Sequence, residues 1–124
     1  MSQFAIEFVF LLLVPGQVVG LTLSSSVTNN QPSLSVSWTT VQHDLSLQYQ
    51  VDYRVSGSTT WGTVSPNPTS TSTTLESLQL GTTYEVRVRA VSDIGNGTWS
   101  DISSETTNSG IVKTFFSMPW INER

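Results

Sequence analysis

The sequence predicts an all-β fold, a seven-stranded antiparallel sandwich of two sheets, and three observations carry that prediction. Apolar residues alternate with polar ones in short runs between Val18 and Thr107, the period-2 signature of half-buried strands. Clusters of Ser, Thr, Asn, Gly and Pro, the residues that punctuate turns, separate those runs. Ser and Thr fill 37 of the 124 positions and charged residues only 11%, a balance that, with recurrent Val, Tyr and Trp, suits pleated surfaces rather than helices. The length accommodates one sandwich of roughly 100 residues and excludes two.

The strands follow in order. Leu21 and Leu23 begin the first, and Leu34, Val36 and Trp38 alternate in the second. Tyr49, Val51, Tyr53 and Val55 share one face of the third. After the turn cluster Ser56-Gly57-Ser58, Trp61 to Val64 reads as a short fourth strand. Pro66 and Pro68 then forbid any central strand, so the chain must cross over. Ser72 to Leu75 is the fifth. The sixth is the clearest: Tyr84, Val86, Val88 and Ala90 face one way, Glu85, Arg87 and Arg89 the other. Asp93 to Gly97 is a loop by composition, and Trp99 to Thr107 supplies a weaker seventh strand.

The ends stand apart from this pattern. Residues 1–16 contain an apolar run from Phe8 to Val14 followed by Pro15-Gly16, the length of a signal-peptide core and well short of a membrane span. No Lys or Arg precedes the run and Glu7 sits where positive charge is expected, so two readings stand: a signal peptide cleaved after Gly16, or the end of a preceding segment. The domain is assigned to residues 17–108. Residues 109–124, aromatic but without alternation, are expected to be a poorly ordered tail or linker.

Taken together, these residues resemble the fibronectin type III family over about three quarters of the chain. Pro15, Val18 and Leu21 look like its opening, Trp38 like its core tryptophan, and Tyr49-x-Val51-x-Tyr53-Arg54 like its third strand. The most specific stretch is Leu78-x-Leu80-Gly81-Thr82-x-Tyr84-x-Val86-x-Val88-x-Ala90. The resemblance implies an immunoglobulin-like sandwich in which Trp38, Tyr49, Val51, Leu78, Tyr84, Val86 and Val88 form the core. It also implies that Tyr84 is a corner tyrosine whose hydroxyl reaches back to upstream backbone. The pattern departs at Leu80, where the family usually has proline.

The composition excludes several functions. A net charge of −4 with basic residues only at Arg54, Arg87, Arg89, Lys113 and Arg124 offers no footprint for nucleic acid. Without cysteine there is neither a disulfide framework nor a thiolate metal site. The only histidine, His43, lies in a polar loop beside Asp44 and reads as a solvated residue, and no hydroxyl occupies a nucleophile turn. No catalytic, metal or cofactor residue is assigned, and no small-molecule substrate is expected.

Three surface features remain. Asn96-Gly97-Thr98 is an N-glycosylation acceptor pattern whose bland alternative is an Asn-Gly turn. Trp99-Ser100 resembles half of the paired Trp-Ser motif of cytokine receptors, but Asp101-Ile102-Ser103 follows and the second tryptophan is absent. Trp99 is expected on the outer face, stacked on the guanidinium of Arg87 or Arg89. Trp61 and Tyr53 are read as sheet packing rather than a contact patch, and no Arg-Gly-Asp tripeptide occurs. The family resemblance implies a non-catalytic extracellular or cell-surface module for protein interaction or adhesion, with flanking domains if the chain is part of a longer protein. The alternative is a spacer in a tandem array, or an accessory domain of a larger receptor or enzyme.

Overall fold

Asn29 and Asn30, with φ of 54° and 64°, form a two-residue turn between β1 (Thr22–Thr28) and β2 (Gln31–Ser37). Two consecutive positive φ values match the right-handed twist of the flanking strands, and asparagine tolerates them better than most residues. The computed structural model describes residues 13–108. Most of the segment read as a leader, and the tail from residue 109, lie outside the described residues.

The remaining strands are β3 (Gln48–Val55), β4 (Gly62–Thr63), β5 (Ser72–Leu75), β6 (Thr83–Ser92), β7 (Gly95–Asn96) and β8 (Ser103–Thr106). All pairs are antiparallel. One sheet runs β1-β2-β5; the other runs β4-β3-β6, with β7 and β8 pairing successive stretches of β6. The described residues contain no helix, so none is long and apolar enough to cross a membrane.

Eight strands appear where seven were expected, because the last one is split. Two of its residues, Gly95 and Asn96, fall in the segment read as a loop. The reversal there is made by Asp93 and Ile94, closed by the Ser92–Gly95 pair, so Asn96 lies in a strand rather than at an Asn-Gly turn. Gly95 has φ of 148°, a conformation that L side chains rarely adopt.

Both sheets turn their alternating apolar face inward. Val18, Leu34, Val36, Trp38, Tyr49, Val51, Leu75, Leu78, Tyr84, Val86, Val88 and Ala90 form one buried cluster. Trp38 meets Tyr49 edge-on at 5.2 Å, a favoured aromatic geometry. The hydroxyl of Tyr84 accepts the Gln79 amide at 2.8 Å, which pins the connection between the sheets, and Gly81 turns the chain there with φ of 62°. Val55, expected inside, is the last residue of β3 and is 44% exposed.

The edges of the second sheet are held differently along their length. Beyond β4, Val64 donates to the Val51 carbonyl and Tyr49 donates to that of Pro68, so residues 62–68 follow β3 before Thr71 receives the Trp38 amide of the other sheet. On the opposite edge, contacts begin ahead of Gln17. Pro15 is buried, and a Cβ on Gly97 would lie 2.6 Å and 2.7 Å from the carbonyl oxygens of Pro15 and Gly16. His43, expected to be solvated, is half-buried. Its Nδ1 accepts the Leu45 amide, which leaves Nε2 to donate to the Leu13 carbonyl at 2.6 Å.

Candidate protein-interaction face

Apart from Val91, the outward residues of β3 and β6 are polar, and the register places three pairs directly opposite one another: Gln50 with Arg89, Asp52 with Arg87, Arg54 with Glu85. Directly opposed side chains of opposite charge stabilise an antiparallel pair. Arg54 Nε donates to Glu85 Oε1 at 2.7 Å. Arg87 donates from Nε and Nη2 to Asp52 Oδ2. Arg89 donates from the same two nitrogens to Gln50 Oε1, at 3.0 and 2.8 Å. Asp52 is nearly fully buried and also accepts from Thr63 and Gln50, so its charge is compensated on several sides.

Two tryptophans interleave with these guanidinium groups. Arg54 and Arg87 lie 4.0 and 4.3 Å from the ring centre of Trp61. Arg87 and Arg89 lie 4.0 and 4.4 Å from that of Trp99. The outer face thus carries one continuous ladder in the order Arg54, Trp61, Arg87, Trp99, Arg89, with each contact worth about 0.5–1 kcal/mol where partly exposed. The three arginines are the only basic side chains among the described residues.

Trp99 reaches this position through an irregularity in the edge. From Val86 to Val91, β6 advances five residues, while the opposing chain from Ser103 back to Asn96 covers seven. The two extra residues make a bulged segment of the kind that re-aims side chains. Ladder bonds persist from Gly97 to the Ala90 carbonyl and from Ser100 to that of Val88. The carbonyl that would receive the buried Val88 amide is displaced, and the Ser100 hydroxyl takes its place at 3.0 Å while donating to Asp101. Gln17 Nε2 holds the Trp99 carbonyl from the other side.

The sites named from sequence are therefore distributed. Trp38, Tyr49, Val51, Leu78, Tyr84, Val86 and Val88 lie in the core; Arg87, Arg89 and Trp99 meet on the outer face; Asn96 is exposed on β7, with Thr98 also exposed. Sequence reasoning missed Trp61, which it assigned to packing with Tyr53, and it missed Asp52 altogether; it read Ser100 only as part of a Trp-Ser pair, without its bond to the Val88 amide.

The outer face of the β1-β2-β5 sheet is unlike this one. Its outward residues are Thr22, Ser24, Ser26 and Thr28 on β1, Gln31, Ser33, Ser35 and Ser37 on β2, and Ser72 and Thr74 on β5. None is charged or aromatic. Their hydroxyls pair across strands, Thr22 with Ser37 at 2.7 Å and Ser26 with Ser33 at 3.0 Å.

The profile of the fibronectin type III domain matches residues 17–106. Mouse sortilin-related receptor is 44% identical over 70 residues, which cover 56% of this chain and 3% of the receptor. Human interleukin-6 receptor subunit beta is 32% identical over 79 residues, 60% of this chain and 9% of that protein. The chain therefore spans a small part of the length of the curated relatives it matches. Among solved structures, domains A168–A170 of titin superpose with a TM-score of 0.64 at 24% identity, covering 77% of this chain and 32% of that one. A structure described as a myokine gives 0.62 at 25% identity, covering 76% of this chain and 98% of that one.

Proposed function

This chain belongs to the fibronectin type III family, and from that premise we propose that it is a non-catalytic recognition module of a secreted or cell-surface protein, binding a protein partner through the Trp/Arg face. The observation that carries the reading is the contrast between the two sheets. Trp and Arg are enriched at interfaces and among binding hot spots, whereas Ser is depleted there. One outer face holds five such side chains in a fixed ladder; the other holds small hydroxyls and a glutamine. The relatives that carry similar domains are receptors by name, which favours an extracellular setting. Adhesion is one form such recognition takes.

In that setting Asn96 carries an N-linked glycan. It is exposed near the tip of the β6–β7 hairpin, with Thr98 exposed two residues on, and its pairing with Val91 of β6 places it toward the Arg89 end of the outer face. The test begins with secretion of the full chain from a eukaryotic cell and an intact mass that falls by one glycan in Asn96→Gln. The fluorescently labelled product is then bound to a panel of cells. Binding lost in Trp61→Ser and retained in Ser35→Lys, on the opposite face, supports the reading. Equal loss from both variants, or retention in the unmodified cytoplasm, overturns it.

A second reading is favoured by a separate observation: the relatives are far longer than the matched region. On that reading the domain is a spacer between other domains, or an accessory domain of a larger receptor or enzyme, and the labelled module binds no cell in the panel.

A further inference from the structure

We propose that Arg89 is a preformed anchor for a carboxylate on an acidic segment of a protein partner, an inference that rests on the Trp/Arg face being the recognition face. The three arginines of the ladder are not equivalent. Arg54 and Arg87 are each neutralised by a carboxylate, Glu85 and Asp52. Arg89 has none: its hydrogen-bond partner is the neutral amide oxygen of Gln50, and no Asp or Glu among the described residues lies within ion-pairing distance of it. It is half-buried at the open end of the ladder.

Its geometry is fixed on two sides. The guanidinium is stacked on Trp99 at 4.4 Å, and two of its five N–H groups are committed to Gln50. Gln50 is itself held through its amide nitrogen by Asp52, which binds Arg87. Among the described residues, the chain Arg89–Gln50–Asp52–Arg87 leaves three N–H groups of Arg89 without a partner on a plane that cannot rotate freely. A rigid planar fork matches a carboxylate in a bidentate pair, and less entropy is lost on binding than for a free side chain. An uncompensated, immobilised cation beside an aromatic ring selects an acidic partner. The five remaining acids of the described chain, Asp44, Glu76, Asp93, Asp101 and Glu105, disfavour a long polyanion that must run past Arg89 over the rest of the surface.

The test is a titration of the full chain, labelled with 15N at arginine and tryptophan side chains, with an acetylated tetraglutamate peptide, followed by NMR. Arg89 Nε–H and the Trp99 indole are expected to shift saturably, while Arg54 and Arg87 shift little. Arg89→Lys keeps the charge and loses the fork, and should weaken binding about tenfold, the scale of one charge-assisted hydrogen bond. Equal shifts at all three arginines, or unchanged affinity in Arg89→Lys, would overturn the assignment. So would tighter binding of a sulfated heparin oligosaccharide at the same site, which indicates a polyanion instead. If the titration fails at Arg89 while cell binding is still lost in Trp61→Ser, the anchor is refuted and the recognition face stands. A saturable Arg89 response without cell binding separates the two in the other direction.

Discussion

Replacing Ser100 with alanine removes a single hydroxyl, yet that oxygen is the acceptor for a backbone amide in the middle of β6. Val88 is fully buried and Ser100 is 7% exposed, and the displaced edge leaves the Val88 N–H no other partner than Ser100 Oγ at 3.0 Å. An orphaned buried donor costs about 1–3 kcal/mol. Taking about 2 kcal/mol, and about 4–8 °C per kcal/mol for a domain of this size, the melting temperature should fall by about 8–16 °C. The local signature is sharper than the global one: amide exchange at Val88 should accelerate more than at Val86, whose flanking pair with Ser103 is regular. Ser100→Thr, which keeps the hydroxyl, should restore most of the stability if its methyl is accommodated. The control is Ser104→Ala, an exposed residue opposite Glu85 on the same edge. If Ser100→Ala melts with that control and Val88 stays protected, the hydroxyl is not the ladder substitute and the account of the bulge is wrong.

Two further outcomes follow from the same geometry. Tyr84→Phe deletes the acceptor of the Gln79 amide at 2.8 Å but keeps the buried ring; with Gln79 exposed and able to bind water, the loss should be about 1 kcal/mol, read as a lower urea midpoint at unchanged slope. Gly97→Ala places a methyl 2.6 Å from the Pro15 carbonyl and should cost about 1–3 kcal/mol as overpacking. In a chain begun at Gln17, which lacks that carbonyl and its neighbour at Gly16, the same substitution should be nearly neutral. Additive losses in the two backgrounds would show that Leu13–Gly16 does not pack on the hairpin.

What the sequence made legible was whatever depends on neighbours along the chain. Alternation located the inner faces of β2, β3 and β6, because period 2 is a property of the strand itself, and the Gly81-to-Ala90 stretch marked the turn and strand that the structure contains. Pairings set by register were not legible. Trp61 is seven residues from Arg54 but 26 from Arg87, and only the Asp52–Thr63 and Tyr53–Gly62 pairs bring its ring between them. Ser100 stood out only as part of a Trp-Ser pair, since its importance arises from two extra residues that are visible only when β7 and β8 are both placed against β6. His43 likewise gained a partner from Leu13, 30 residues away.

The ladder has a structural consequence that bears on its use as an interface. Both edges of the larger sheet are weakly paired: β4 contributes two residues, and the opposite edge is interrupted between Asn96 and Ser103. At each weak point the edge segment sends one tryptophan over the central β3–β6 pair, Trp61 beside β4 and Trp99 inside the interruption. Arg87 lies against both rings, so the two edges are fastened to each other through one guanidinium that is itself tied to buried Asp52. Stacking there supplements the backbone bonds that remain, and the same contacts that close the sheet immobilise the side chains it displays. A recognition surface gains affinity when its side chains are ordered before the partner arrives, and on this face the ordering is already required by the fold.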